Sequence, residues 1–124
     1  MLLLDAHTLL WWLADDRTLT KPARDAIADP SSTVYVSAAT AWEVSIKSAL
    51  GKLSAPDDLE RQIRDGGLTD LPVTVGDAVI AGALPRHHAD PFDRMLVAQA
   101  QRRGLTIVTR DPAIRRYGVP TLAA

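Results

Sequence analysis

The stretch LLLDAHTLLWWL, residues 2 to 13, decides how the rest of the chain is read. Three leucines run into Asp5, and the apolar pattern resumes at Leu9. A carboxylate set between two apolar segments is costly to desolvate unless it has partners. Leu2 to Asp5 reads as a short buried strand, and His7 to Ala14 as a helix packing back on it. Asp5 is then either a cap at the turn between them or one wall of a site.

The same alternation continues outward. Thr20-Lys21-Pro22 starts a helix that runs to about Asp29, with Thr20 as its cap and proline in its first turn. Val34 to Val36 is β-branched and aromatic, a second strand. Ser37 caps a helix from about Ala39 to Leu50, closed by Gly51. Pro56 to Asp65 is a further helix, stopped by Gly66-Gly67. Leu71 to Val75 reads as a third strand and Asp77 to Leu84 as a small helix ended by Pro85. Pro91 to Arg103 carries Phe92, Met95, Leu96 and Ala100 on one face, the pattern of a helix. Leu105 to Val108, Asp111 to Arg116 and Val119 to Leu122 complete the series as strand, short helix and strand. Strands separated by helices imply right-handed crossovers, and hence an α/β fold with a mostly parallel five-stranded sheet flanked by helices.

Composition narrows the function classes. The chain has 124 residues, 47% of them hydrophobic and 23% charged, a size and balance expected of one domain spanning residues 1 to 124. It has no cysteine, which excludes disulfides, thiolate metal sites and cysteine nucleophiles. No apolar run approaches the ~18 residues that span a bilayer, and the run at the start has no basic segment before it. A cytoplasmic protein without membrane contact is expected. The net charge of −1 conceals an asymmetry: from Pro85 onward seven arginines face three aspartates, a net of +4, against −5 before it. A locally basic surface suits an anionic partner.

In doubly wound sheets, ligands bind outside the carboxyl ends of the strands. Asp5 and Asp111 follow the first and fourth strands and are expected on that edge. Glu43 lies in the helix leaving the second strand, among Ala41, Trp42, Val44 and Ile46. Asp93 is in the first turn of the helix leading to the fourth strand. Each alone has a structural reading: Asp5 and Asp111 as caps, Asp93 at a helix's positive end, Glu43 paired with Lys47. Four together repel unless a cation neutralises them. An all-carboxylate set suits Mg²⁺ or Mn²⁺, which activate water and stabilise charge on a phosphodiester.

Other chemistries fit less well. An aspartyl-phosphate phosphatase needs an acid two residues after the first, where this chain has His7. No glycine-rich phosphate loop, G-x-S-x-G elbow or HExxH spacing is present. The adjacent His87 and His88 have diverging side chains and are expected at the surface rather than as ligands. Trp11, Trp12 and Trp42 are expected to pack in the core or an interface.

The segments LLLDAHTLLWWL, VSAATAWEVSIKSALGKL, ALPRHHADPFDRMLVAQAQ and LTIVTRD together carry a resemblance to PIN domains, and among them to VapC-type ribonuclease toxins of bacterial toxin–antitoxin pairs. The resemblance implies an Mg²⁺-dependent endoribonuclease (Mn²⁺ as alternative) cutting cellular RNA such as tRNA or ribosomal RNA. It assigns Asp5, Glu43, Asp93 and Asp111 to the catalytic set, with Asp5 and Asp93 as the main metal ligands. Ser37 and Thr109 fall on hydroxyl positions that support the acids, and Asp90 is a neighbour of the cluster. Arg94, Arg110 and Arg86 are the expected RNA phosphate contacts. The resemblance further implies a cognate VapB-type antitoxin, homodimers and larger hetero-oligomers. The apolar faces of Pro22–Ala28 and Leu59–Ile63 are offered as a groove for an antitoxin helix. One departure stands out: relatives often carry threonine or serine after the first aspartate, and this chain has Ala6, one fewer supporting donor. The rival reading is a non-catalytic partner-binding module with a degraded or occupied acidic site. A nuclease directed at DNA is a further alternative.

Overall fold

Alternation within the first strand builds the two layers of the core. The computed structural model describes residues 1–124. In β1 (Leu2–Leu4), Leu2 and Leu4 face one side of the sheet, where they meet Leu9, Leu19, Ile27, Val34, Val36 and Val108. Leu3 faces the other side, with Leu96, Val97, Leu105, Ile107 and Ile114. Successive residues of a strand point to opposite faces, so three leucines can anchor two cores.

The elements follow as α1 (Ala6–Leu13), α2 (Lys21–Ala28), β2 (Val34–Ser37), α3 (Ala38–Ala49), α4 (Leu59–Asp65) and β3 (Thr69–Leu71). The second half holds α5 (Val75–Ala83), α6 (Pro91–Arg103), β4 (Thr106–Thr109), α7 (Pro112–Arg115) and β5 (Thr121–Ala123). The sheet has the order β3-β2-β1-β4-β5, and all four pairings are parallel. The chain winds outward from β1 to β3, then returns to β1's other flank with β4. The switch in strand order therefore falls between β1 and β4, with Asp5 and Asp111 just beyond their ends.

Several bounds differ from the sequence expectation: α5 starts at Val75 rather than Asp77, β5 at Thr121 rather than Val119, and β3 and α4 are moved for local reasons. The third strand is Thr69–Leu71, not 71 to 75, because Pro72 has no N–H to continue the ladder. Thr74 instead opens α5 with a capping box, its Oγ1 accepting from Asp77 N at 3.1 Å while its N donates to Asp77 Oδ2 at 3.0 Å. Helix α4 begins at Leu59 rather than Pro56, since Asp58 adopts a left-handed φ of 55°.

A buried ion cluster ties α5 to α6. Asp77 is wholly buried, and its Oδ1 accepts from Arg102 at 2.8 Å and Arg103 at 2.9 Å. Gly76 makes room for it: a Cβ there would lie 2.5 Å from the Arg102 guanidinium. The same two helices are strapped at their other end by Arg94, which donates to the carbonyls of Ala81 and Leu84 at 2.9 Å and of Pro85 at 3.1 Å. These include carbonyls at the end of α5, which its own helix cannot satisfy.

On α2, Ala23 and Ile27 are buried in the core, as is Ile63 on α4. Leu59 and Ile63 do border a groove, opposite Val36, Ala41, Leu71 and Pro72. Trp11 and Trp12 are half-buried against the core, whereas Trp42 is 64% exposed.

Candidate metal centre

The carboxyl edge of the sheet gathers the acids in a cleft of about 390 Å³, lined by Asp5, Glu43, Asp90, Asp93 and Asp111 together with Lys47, His88 and Arg110. Each acid arrives by a different local rule. Asp5 follows β1 and caps α1, its Oδ1 accepting from Thr8 N at 3.0 Å. Its Oδ2 accepts from Thr109 Oγ1 at 2.6 Å. Thr8 Oγ1 in turn donates to Val108 O at 2.9 Å, fixing the start of α1 to β4. Asp111 caps α7 by accepting from Ala113 N at 2.9 Å. Asp90 caps α6, taking the N–H groups of Phe92 and Asp93, and so turns Asp93 inward from the first turn. The structural role of these caps and a place in the cleft coexist in the same side chains.

Glu43 is 5% exposed in the middle of α3. Its Oε2 accepts from Lys47 Nζ at 2.5 Å, while its Oε1 is buried without a partner. Lys47 has its pKa raised, chiefly by the Glu43 hydrogen bond against the opposing effect of burial, with the charges of Glu43, Asp90 and Asp93 adding to it. Asp93 is pushed up to about 7 by burial first, then by the negative charges of Asp90, Glu43 and Asp5, with His88 opposing.

His88 enters this cleft, contrary to the expectation of a surface residue. Its Nε2 lies 2.9 Å from Asp93 Oδ2 and 2.7 Å from Asp111 Oδ2, and its Nδ1 accepts from Asp90 N at 3.1 Å. Burial lowers the imidazole pKa, but the Asp111 hydrogen bond and the charges of Asp93, Asp111 and Asp90 raise it on balance. The divergence expected of adjacent histidines is what puts His88 here: His87 packs edge-on against Tyr117 while its neighbour turns in. The sequence signal was its position two residues before the cap Asp90, in a turn that aims side chains at the helix's N-terminus.

The supporting and basic residues divide. Thr109 bonds Asp5 directly and also accepts from Asp111 N at 3.0 Å. Ser37, expected to support an acid, has its hydroxyl engaged with Ala39 N at 3.1 Å as the cap of α3. Arg94, expected at phosphate, is committed to the carbonyls that strap α5 and lines the neighbouring cleft rather than this one. Arg110 lines the cleft, lying 4.4 Å over the Trp11 ring and donating to Ala124 O and Thr18 O. Arg86 is exposed and borders a neighbouring cleft with His88 and Arg94.

The donor set fits a hard divalent cation. Ligand atoms of His88, Asp93 and Asp111 lie within 4.8 Å of one another, and the remaining donors are carboxylate oxygens. The unpartnered Glu43 Oε1 and the crowding of negative charge that raises Asp93 are the features a cation would relieve.

A parallel sheet with carboxylates gathered at its switch point defines a class of acid-site α/β proteins, and the PIN domain model matches residues 2–120. This chain belongs to the PIN domain family. It is 34% identical to the Ribonuclease VapC22 of Mycobacterium tuberculosis (strain ATCC 25618 / H37Rv), over 95% of this chain and 92% of that one. Its fold is similar to a chain of the DNA-bound VapBC structure from Salmonella typhimurium, with a TM-score of 0.69 at 19% identity, covering 98% and 96% of the two chains. It is similar also to a chain of FitAcB from Neisseria gonorrhoeae, with a TM-score of 0.66 at 22% identity, covering 99% and 97%. No helix is long and apolar enough to cross a membrane.

Proposed function

We propose that the chain is an Mg²⁺-dependent endoribonuclease, with Mn²⁺ as an alternative ion, acting as the toxin of a toxin–antitoxin pair on cytoplasmic RNA. The observation that carries this reading is the buried, unpartnered Glu43 Oε1 in a cleft it shares with Asp5, Asp93 and Asp111. A merely structural glutamate would be satisfied or exposed. The family relationship and the ribonuclease name of the M. tuberculosis relative support the activity.

Asp5 and Asp93 hold the ion, Asp5 through a carboxylate kept in place by Thr8 N and Thr109 Oγ1. When bound, the ion supplies a polarised water and stabilises charge building on the phosphodiester. Glu43 or Asp111 orients the attacking water and takes its proton. Lys47 holds Glu43 Oε2 in place by its 2.5 Å hydrogen bond. Arg110 and Arg86 are the basic groups placed to meet phosphates, and Arg94 contributes by fixing the loop that carries His88.

The partner reading follows from the structural neighbours, whose names describe VapBC and FitAcB assemblies. The groove bordered by Leu59 and Ile63 is the place for an antitoxin helix, and the exposed face of Trp42 with Val73, Phe92 and Met95 is the surface for a homodimer. The purified protein is to be incubated with cellular RNA in Mg²⁺ and in chelator. Mg²⁺-dependent cuts support the enzyme; no cleavage with any divalent ion, alongside tight antitoxin binding, favours a partner-binding module.

A further inference from the structure

His88 is the only nitrogen donor set between two carboxylates of the cleft, and its ring is constrained on both sides. Its side chain is 17% exposed. The Asp90 backbone N–H points at Nδ1 from 3.1 Å, and a backbone amide has no lone pair to offer, so the neutral ring must leave Nδ1 bare. The ring hydrogen is then on Nε2, which faces Asp93 Oδ2 and Asp111 Oδ2 at 2.9 and 2.7 Å. An imidazolium would carry a hydrogen on Nε2 as well. In either state Nε2 is a donor and has no lone pair for a metal, although its distances alone suggest a ligand. The backbone beneath the ring is fixed independently: His88 N donates to Tyr117 Oη at 3.0 Å, and Tyr117 Oη donates to Pro85 O at 2.8 Å. Only rotation of the side chain can remove Nε2 from the acids.

We infer that His88 is an internal competitor for the cation: its Nε2–H donates to Asp111 Oδ2 and lies beside Asp93 Oδ2, and a cation drawn to these oxygens must displace it. The inference rests on the metal reading of the cleft given above. His88 is thereby a positioning residue, which keeps two repelling carboxylates together until the ion arrives and lowers the affinity of the site for it. It also makes the cleft an oxygen-only site, so its preference is for hard cations over those that favour imidazole.

Mn²⁺ binding is to be measured by calorimetry on the full chain, for wild type, H88A and H88Q. Removing the donor in H88A tightens Mn²⁺ binding by about tenfold or more, the scale of hydrogen bonds to charged groups. H88Q, which retains a donor of similar reach, keeps the wild-type affinity. The imidazole ¹⁵N spectrum of the wild-type protein without metal shows Nε2 protonated in the neutral ring. Unchanged or weaker Mn²⁺ binding in H88A, equal tightening in H88Q, or a neutral ring protonated on Nδ1 overturns the inference while leaving the metal site standing. Absence of Mn²⁺ binding in every one of these proteins overturns both.

Discussion

Thr109 donates to Asp5 from 104 residues away in sequence, at 2.6 Å, and the bond joins the ends of the two central strands. β1 and β4 pair with Leu4 opposite Val108, so the next residue on each strand reaches the carboxyl edge together. The hydroxyl also receives Asp111 N, making Thr109 the shared support of two acids on either side of the switch point.

Replacing Thr109 by Val keeps the shape of the side chain and removes both bonds. Metal affinity or cleavage rate falls by about 10- to 100-fold, the usual cost of losing an outer-sphere partner. Titration calorimetry with Mn²⁺ and a cleavage assay measure it. Wild-type affinity in T109V would show that Asp5 needs no support.

Asp93 carries a pH dependence of defined sign. Its folded pKa of about 7 exceeds the unfolded value of 3.8, so between them the native state holds the extra proton. Stability of the metal-free protein therefore falls as pH rises from about 4 through about 7. Added Mn²⁺ reverses the trend by favouring the ionised form, and its affinity rises across the same interval. Urea melts at several pH values with and without the ion read both effects. D93N removes the pH trend and stabilises the metal-free fold above pH 7 while abolishing cleavage.

Asp77 has the opposite sign. Burial raises its pKa, but the bonds from Arg103, Thr74 and Arg102 outweigh this and hold it well below 3.8. Its contribution is present above the unfolded pKa and is lost as pH falls below about 4 through the folded value. D77N leaves the part-exposed Arg102 and Arg103 without their anion and costs about 1–2 kcal/mol, the scale of lost hydrogen bonds to a charged group discounted for solvent. The loss is read from denaturant midpoints, at pH 7, with the cleft itself unaltered.

The exposed Trp42 face supplies a prediction about assembly. Trp42, 64% exposed and set edge-on to Phe92 at 5.5 Å, is the surface that the proposed homodimer would cover. W42K shifts the protein from dimer to monomer in light-scattering measurements at micromolar concentration. A wild-type protein that is already monomeric there contradicts the homodimer.

Most of the sheet and the acids could be read from the sequence because strand ends and helix caps are local signals. Asp5, Asp90 and Asp111 each close a strand or open a helix, so spacing alone brings them to one edge. What escaped was side-chain direction in irregular backbone. His88 looked exposed because its neighbour is, and only the turn before α6 decides which of the pair points inward. Arg94 looked available for phosphate because the carbonyls it satisfies lie at the end of α5 and in the turn after it, nine to thirteen residues earlier. β3 was misplaced because its hydrophobic residues continue past Pro72, which ends its hydrogen bonding.

If the carboxylates of this cleft hold a divalent ion for RNA cleavage, D5N removes one of the two main ligands proposed for it. Asparagine keeps the Oδ1 that caps Thr8 N, so the fold and its circular dichroism are retained. Mg²⁺-dependent cleavage of cellular RNA by the wild-type protein, mapped at the new 5′ ends, is expected to drop by more than ~100-fold in D5N, beyond the loss from an outer-sphere partner. Cleavage by D5N at the wild-type rate, or wild-type cleavage that persists in chelator, would contradict it.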